Sequence, residues 1–169
     1  MSDAATQDPV PAPASQQRDD GGRLVAVTWH GAGWVAGTAP GRWLVAVDGS
    51  ACSLRAVAMA ARLAGPARAI DLLYVHPWVA QEAAETGMAS RGWAMAAAAR
   101  RALDQASLHW RLHVVMGQPA PEIVRMAQAL GSPGVAIGSH GLTAAESLML
   151  GSVTYQVVHL SKAAVLIVR

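Results

Sequence analysis

The large apolar residues fall into five short runs, separated by stretches with helical spacing. The runs are Leu44 to Val47, Ile70 to Val75, Leu108 to Met116, Val135 to Ile137 and Ala164 to Val168. A short, wholly apolar run bounded by turn residues fits a strand buried on both faces, as in a parallel sheet. Leu108 to Met116 alternates more loosely and still reads as strand. Between the first two runs, Leu54, Val57, Ala58 and Ala61 recur at helical spacing, with Arg55 and Arg62 on another face, and Gly65-Pro66 stops the helix. Trp93 to Ala106 is alanine-rich and predicts a second helix. Val79 to Ser90 reads either as a mobile loop or as a first helical turn. Pro121 suits a first turn, Ile123, Met126, Ala127 and Leu130 line one face, and Gly131 ends that helix. A last helix spans Ser152 to Ser161, with Val153, Val157 and Leu160 turned inward. Strands alternating with helices imply parallel pairing through right-handed crossovers, hence an α/β fold with a five-stranded parallel sheet and helices on both faces.

The first 42 residues stand outside this rhythm. Residues 1–22 are rich in Ala, Pro, Gln, Ser and Asp, with Val10 the one large apolar side chain. Ordering the backbone costs roughly 1–2 kcal/mol per residue, and this stretch has little to bury in return, so it reads as a disordered tail. Residues 23–42 are a glycine- and tryptophan-containing extension. Leu24 to Trp29 followed by Gly31, Gly33 and Gly37 invites a dinucleotide-binding reading. That fingerprint must open a helix, and Pro40-Gly41 arrive before one forms. A hairpin of Leu24–Trp29 with Gly33–Thr38 is the better reading, with Trp29, Trp34 and Trp43 covering a sheet edge or an apolar patch.

The candidate chemistry lies between Gly134 and the end of the chain. An apolar strand runs into Gly138, Gly141 comes next, and after nine intervening residues Gly151-Ser152 open the last helix. Glycine permits tight turns and close approach, and Ser152 is a suitable N-cap. A strand, a glycine turn and a helix N-terminus together favour an anion through unpaired amides and the helix dipole. Val153 would donate its amide, Ser152 and Thr154 would add hydroxyls, and His140 sits inside the turn. Asp48, at the end of the first strand, can bond a ribose hydroxyl or a base amine. It can equally serve as a turn residue for the first helix, and His140 can equally be a polar loop residue.

The spacing Gly138/Gly141/Gly151-Ser152, the opening strand Leu44-Val45-Ala46-Val47-Asp48-Gly49-Ser50 and the terminal strand, in that order, resemble the ATP-binding branch of the universal stress protein family. The resemblance covers residues 43–169. It implies a Rossmann-like, adenine nucleotide alpha hydrolase-like sheet of order 3-2-1-4-5, which sets the ends of the first and fourth strands side by side. It implies that Asp48 contacts the adenosine part, that Ala46 and Val75 lie along the base, and that Val47 and Ile137 belong to the same cleft. His140 matches a position that touches the phosphates. ATP is the implied cofactor, with a divalent ion such as Mg allowed, and a homodimer through Val165, Leu166, Ile167 and Val168 is the implied assembly. Two departures stand beside the match: Ser132-Pro133-Gly134 replaces an acidic entry to the fourth strand, and Ala163-Ala164 replaces a proline entry to the last.

Composition narrows the alternatives. The chain is one domain by length, with 53% apolar and 14% charged residues, and the run of apolar residues needed to span a membrane is absent. No secretory signal is visible at the amino terminus, and Cys52 is the single cysteine, so a cytoplasmic location is expected. Net charge is +2, and from Trp43 onward ten basic and seven acidic side chains are scattered without a stripe, which argues against nucleic acid. Arg100-Arg101, the one basic doublet, reads as a solvated helix face. Neither a Gly-x-x-x-x-Gly-Lys-Ser/Thr loop nor the turns of nucleotidyl transferases and pyrophosphate-releasing ligases occur, so a nucleotide-dependent stress or signalling module is expected, with at most slow hydrolysis or self-phosphorylation. The competing readings are a universal stress domain that only binds protein partners and, further off, an adenine-nucleotide-using transferase or ligase.

Overall fold

The computed structural model describes residues 9–34, 41–65, 68–141 and 150–169. Five strands form where the apolar runs predict them: β3 (Leu44–Ala46), β4 (Ala69–His76), β5 (His109–Met116), β6 (Gly134–Gly138) and β7 (Ala164–Val168). They pair in parallel in the order β5-β4-β3-β6-β7, which is the predicted 3-2-1-4-5 arrangement. The expected five-stranded sheet is nevertheless too small. Two antiparallel strands, β1 (Ser15–Arg18) and β2 (Leu24–His30), extend it beyond β5 to seven strands among the described residues.

This corrects two expectations for the N-terminal segment. Part of the stretch read as a disordered tail is strand: β1 pairs with β2 across a turn in which Asp19 Oδ1 accepts from the amides of Gly21 (3.0 Å) and Arg23 (2.9 Å), with Gly22 at φ +82°. The hairpin partner of Leu24–Trp29 is therefore β1, and the other edge of β2 is taken by β5. Gly33 and Trp34 lie outside any strand, and the rest of that proposed strand lies outside the described residues. Trp29 is buried, and its Nε1 donates to Pro11 O at 3.0 Å.

Helices cover both faces. On one face α1 (Ala51–Leu63), α3 (Ala89–Met95) and α4 (Ala97–Gln105) pack over Val45, Ile70, Leu72 and Leu112. On the other, α5 (Pro119–Ala129) and α6 (Ser152–Leu160) pack over Leu44, Leu73, Val135 and Ile137. The buried stripe of α1 is Ser53, Ala56, Val57 and Ala60, one step round from the predicted one, and Leu54 is exposed. Small residues let α1 lie close to the sheet, and that close approach, not side-chain size, selects the inward face. Leu160 of α6 is likewise exposed, not inward.

Of Val79 to Ser90, for which the sequence allows both a mobile loop and a first helical turn, residues 81–90 are helical: α2 (Gln81–Ala83) runs through a π-helical turn (Ala84–Met88) into α3. Arg100 does not lie on a solvated face. It is buried in α4, with its guanidinium 3.3 Å from the Trp93 ring centroid and a hydrogen bond to Trp93 O at 3.1 Å. The ring face and the carbonyl compensate the buried charge; Arg101 is exposed.

A second buried charge ties the hairpin to the core. Asp71, fully buried at the start of β4, accepts from Arg111 Nε (2.7 Å) and Arg42 Nε (3.1 Å), and His113 Nε2 lies 3.3 Å away. His113 Nδ1 lies 3.3 Å from Thr28 Oγ1 of β2. Burial works to raise the Asp71 carboxyl, but hydrogen bonds from His113 and Arg111 outweigh it and hold it at about 2. Because the folded value lies below the unfolded value of 3.8, this stability is complete above about pH 4 and is lost as pH falls towards 2. Acid unfolding should show about 2 kcal/mol disappearing across that window. Asp71→Asn should flatten that part of the curve and lower neutral-pH stability by on the order of 2–4 kcal/mol, because the arginines lose their counter-charge.

Candidate nucleotide site

The carboxyl ends of β3, β4 and β6 open into a cleft of about 550 Å³. All twelve residues singled out from the sequence line it: Ala46, Val47, Asp48 and Val75; Ile137, Gly138, His140 and Gly141; Gly151, Ser152, Val153 and Thr154. The location results from topology. Strand order reverses between β3 and β6, and the helices that leave those strands diverge to opposite faces. Leu73 and Ile123 give the hollow an apolar wall beside Ala46 and Val75.

The polar rim begins with a turn after β3. Asp48 Oδ1 accepts from Ser50 N at 3.0 Å, and Gly49 at φ +84° permits the reversal. Ser50 then caps α1, its side chain accepting from Ser53 N at 3.1 Å. Asp48 is therefore a turn residue through one oxygen. Its other oxygen, Oδ2, faces Gly141, where an added Cβ would lie 2.7 Å from it.

On the β6 side, the structure changes the roles expected of the glycines. A Cβ on Gly138 would come within 2.8 Å of Cys52 Cβ and 2.9 Å of Ser53 N, so this glycine lets the first turn of α1 sit against the end of β6. Gly151, not Ser152, is the N-cap residue of α6, and its amide donates to Ser139 O at 2.8 Å. Thr154 Oγ1 is buried and donates to Gly138 O at 2.8 Å. The Gly151 amide and the Thr154 hydroxyl therefore hold the chain to itself; their protons are not offered to the cleft. The first turn of α6 also carries main-chain donors that lie outside its own helical bonds. Tyr155 N is the first amide to close a helical bond, to Gly151 O at 2.9 Å, so Ser152, Val153 and Thr154 precede the ladder. Ser152 is exposed beside them. His140 Nδ1 is 2.9 Å from Ser139 Oγ, which fixes the ring at the cleft edge.

Sequence reasoning missed a third wall. Tyr74, Pro77, Arg91 and Met95 also line the cleft, and Arg91 Nε donates to Tyr74 Oη at 3.3 Å. Arg91 follows directly on the Val79–Ser90 segment, which the sequence leaves open between loop and helix, and Met95 lies at the start of the helix expected from Trp93 onward. The signal that could have found them is Pro77 closing β4, since each wall of such a cleft is built by the segment that leaves an inner strand. Among the described residues no group of three or more His, Cys, Asp or Glu side chains is placed to hold a metal ion.

A doubly wound, mainly parallel sheet with helices on both faces and a cleft at its switch point defines an α/β protein of the Rossmann-like architecture. The sequence profile of the universal stress protein family matches residues 41–169, and this chain belongs to that family. The Universal stress protein YxiE of Bacillus subtilis is 43% identical over 53 residues, a stretch covering 31% of this chain and 36% of that protein's length. Among solved structures, a universal stress protein in complex with cAMP has TM-score 0.59 and 25% identity over 76% of this chain and 97% of the other. The universal stress protein from Archaeoglobus fulgidus in complex with dAMP has TM-score 0.61 and 18% identity over 77% and 98% respectively, a likeness of fold.

Gly138→Ala should force α1 and β6 apart, since the clash is with backbone as well as side chain. Calorimetry should show a loss of about 1–3 kcal/mol and a melting temperature lower by several degrees.

Proposed function

We propose that this chain binds an adenine nucleotide in the cleft and acts as a nucleotide-dependent stress or signalling module, with ATP as the ligand. The observation that carries the reading is that Ser152, Val153 and Thr154, the first-turn residues of α6, line a cleft whose far wall is apolar. The phosphates lie at the α6 terminus, where amides and dipole favour negative charge. The base lies along Ala46, Val47, Val75 and Ile137, and Asp48 Oδ2 accepts from a ribose hydroxyl. Gly138, Gly141 and Gly151 keep the floor of the cradle free of side chains, and His140 and Ser152 flank the phosphates. The relatives solved with cAMP and dAMP support an adenine ligand for a fold of this kind. A divalent ion, where present, would be held through the phosphates and not by a cluster of protein carboxylates.

The chemistry needed for rapid turnover is sparse. Among the described residues, Asp48 and His140 are the titratable side chains beside the proposed phosphate and ribose positions, and Arg91 stands at the opposite wall. The module therefore reports occupancy, with hydrolysis slow or absent, and the cytoplasm is the proposed location. The second reading, a universal stress domain that serves only as a protein-interaction module, is favoured by the inward use of the Gly151 amide and the Thr154 hydroxyl, which takes two donors from the cradle.

Assembly as a homodimer through β7 belongs to the same proposal. β7 is an edge strand, Ile167 is 37% exposed, and Val165, Leu166 and Val168 are partly buried. Tyr155 and Val158 of α6 add exposed apolar surface.

Native mass spectrometry of the purified protein should detect an adenine nucleotide mass. Saturating ATP, at about 1,000 times its dissociation constant, should stabilise the fold by roughly 4 kcal/mol. Asp48→Ala should weaken binding by about tenfold, in line with one hydrogen bond to a charged group. Absence of any shift with ATP, ADP or AMP would leave the interaction module as the better account.

Ile167→Lys should convert a dimer to a monomer in sedimentation equilibrium without lowering the melting temperature of the monomeric fold. A wild-type protein that sediments as a monomer at micromolar concentration sinks the assembly part.

A further inference from the structure

The family match begins at residue 41, yet the hairpin before it is packed against one wall of the cleft. That wall is the segment from Gln81 to Met95, and on its own it is a poor helix. Its first helical stretch has three residues and no side-chain cap, a π-helical turn comes after it, and Gly87 and Gly92 interrupt it. Its underside is apolar: Ala84, Met88 and Trp93 are buried. Part of what buries it is Leu24, Val27 and Trp29 of β2, which belong to the same core cluster. The Trp29 and Trp93 ring centroids are 5.4 Å apart.

Polar contacts fasten the hairpin to that segment and to the two residues, Trp78 and Val79, just ahead of it. Arg18 of β1 forms a two-pronged ion pair with Glu85 of the π-helical turn, one arm of it at 3.1 Å. Arg23 lies over the Trp78 ring, 5.9 Å from its centroid, beside the backbone of Val79. The opposite side of the braced segment carries Arg91 and Met95 into the cleft, where Arg91 meets Tyr74. β2 is held to the central sheet by its ladder with β5 and by Thr28 beside His113.

We propose that the β1–β2 hairpin is a positioning element of the ligand cleft: it holds the Gln81–Met95 wall in its helical form and so fixes Arg91 and Met95 against the bound molecule. The inference rests on the adenine-nucleotide reading for its ligand but not for its mechanical half. The cause is burial: a segment with weak local propensity takes its shape from the surface that covers it. Loosening the hairpin lets the wall fray and costs the ligand its contacts there, because binding must then also order the wall. The α6 terminus, on the other side of the cleft, keeps its geometry.

The experiment uses the full chain and three variants, Arg18→Glu, Glu85→Arg and the double exchange, chosen because both side chains are exposed and the core is untouched. Hydrogen exchange read by mass spectrometry reports the order of residues 81–95 without ligand. Calorimetric titration with AMP and with ATP reports affinity. Either single variant should raise exchange in 81–95 severalfold and weaken nucleotide binding about 3- to 10-fold, and the double exchange should restore both. Unchanged exchange in the single variants overturns the brace. Raised exchange with unchanged affinity overturns its connection to the cleft. Loss of affinity that the double exchange does not restore also overturns it. Should the unaltered chain bind neither nucleotide, the functional reading fails separately, and the exchange data alone decide: raised and restored supports the brace, unchanged overturns it.

Discussion

The cleft depends on one junction, where the end of β6, the first turn of α1 and the first turn of α6 meet with almost no side-chain volume between them. Thr154 Oγ1 bonded to Gly138 O and Gly151 N bonded to Ser139 O pull α6 onto the strand end. The bare Cα of Gly138 lets α1 close from the other face. Each bond satisfies a buried group that would otherwise cost about 1–3 kcal/mol to leave unpaired. Their joint effect is geometric. They fix the direction of α6, and with it the direction in which the amides of Ser152, Val153 and Thr154 point.

Around that junction the sheet divides its labour. The inner parallel strands carry the apolar core and bring Asp48 and Gly141 together from segments far apart in sequence. The outer antiparallel pair adds no residue to the cleft lining but covers the underside of the wall that does. Buried charge is placed away from the ligand end. Asp71 and its arginines lie near the start of β4, and Arg100 is sealed between tryptophans, so the cleft keeps few charged side chains: among the described residues Asp48 and Arg91, with His140 beside them.

Much of this is legible in the chain. Five largely apolar runs give five strands, because the inner strands are covered by helices on both faces; their order follows from the family resemblance, and Asp71 is the buried charge that the apolar pattern does not explain. The twelve candidate site residues line one cleft for a related reason: eight sit at or just beyond strand ends and four, Gly151 to Thr154, at the start of α6, and topology sets where those ends converge. The glycines stand out in the sequence but their purpose does not, since spacing cannot reveal whether a missing Cβ makes room for a ligand or for another stretch of backbone. β1 is illegible because Ser15-Gln16-Gln17-Arg18 has no apolar alternation; it is strand because β2 offers an open edge and Asp19 to Gly22 can turn. Arg100 reads as a surface residue until Trp93 and Trp110 are brought beside it, and Leu54 and Leu160 read as core until the close approach of small residues is known.

The central claim is that main-chain donors at the α6 terminus clasp a phosphate. Titration of isotopically labelled protein with ATP, monitored by amide chemical shifts, tests it most directly. The account predicts that the largest and saturable changes fall on Ser152, Val153, Thr154 and Gly141, with smaller ones at Asp48 and Val75. Saturable changes that leave those four amides unmoved, or no changes at millimolar nucleotide, would contradict it.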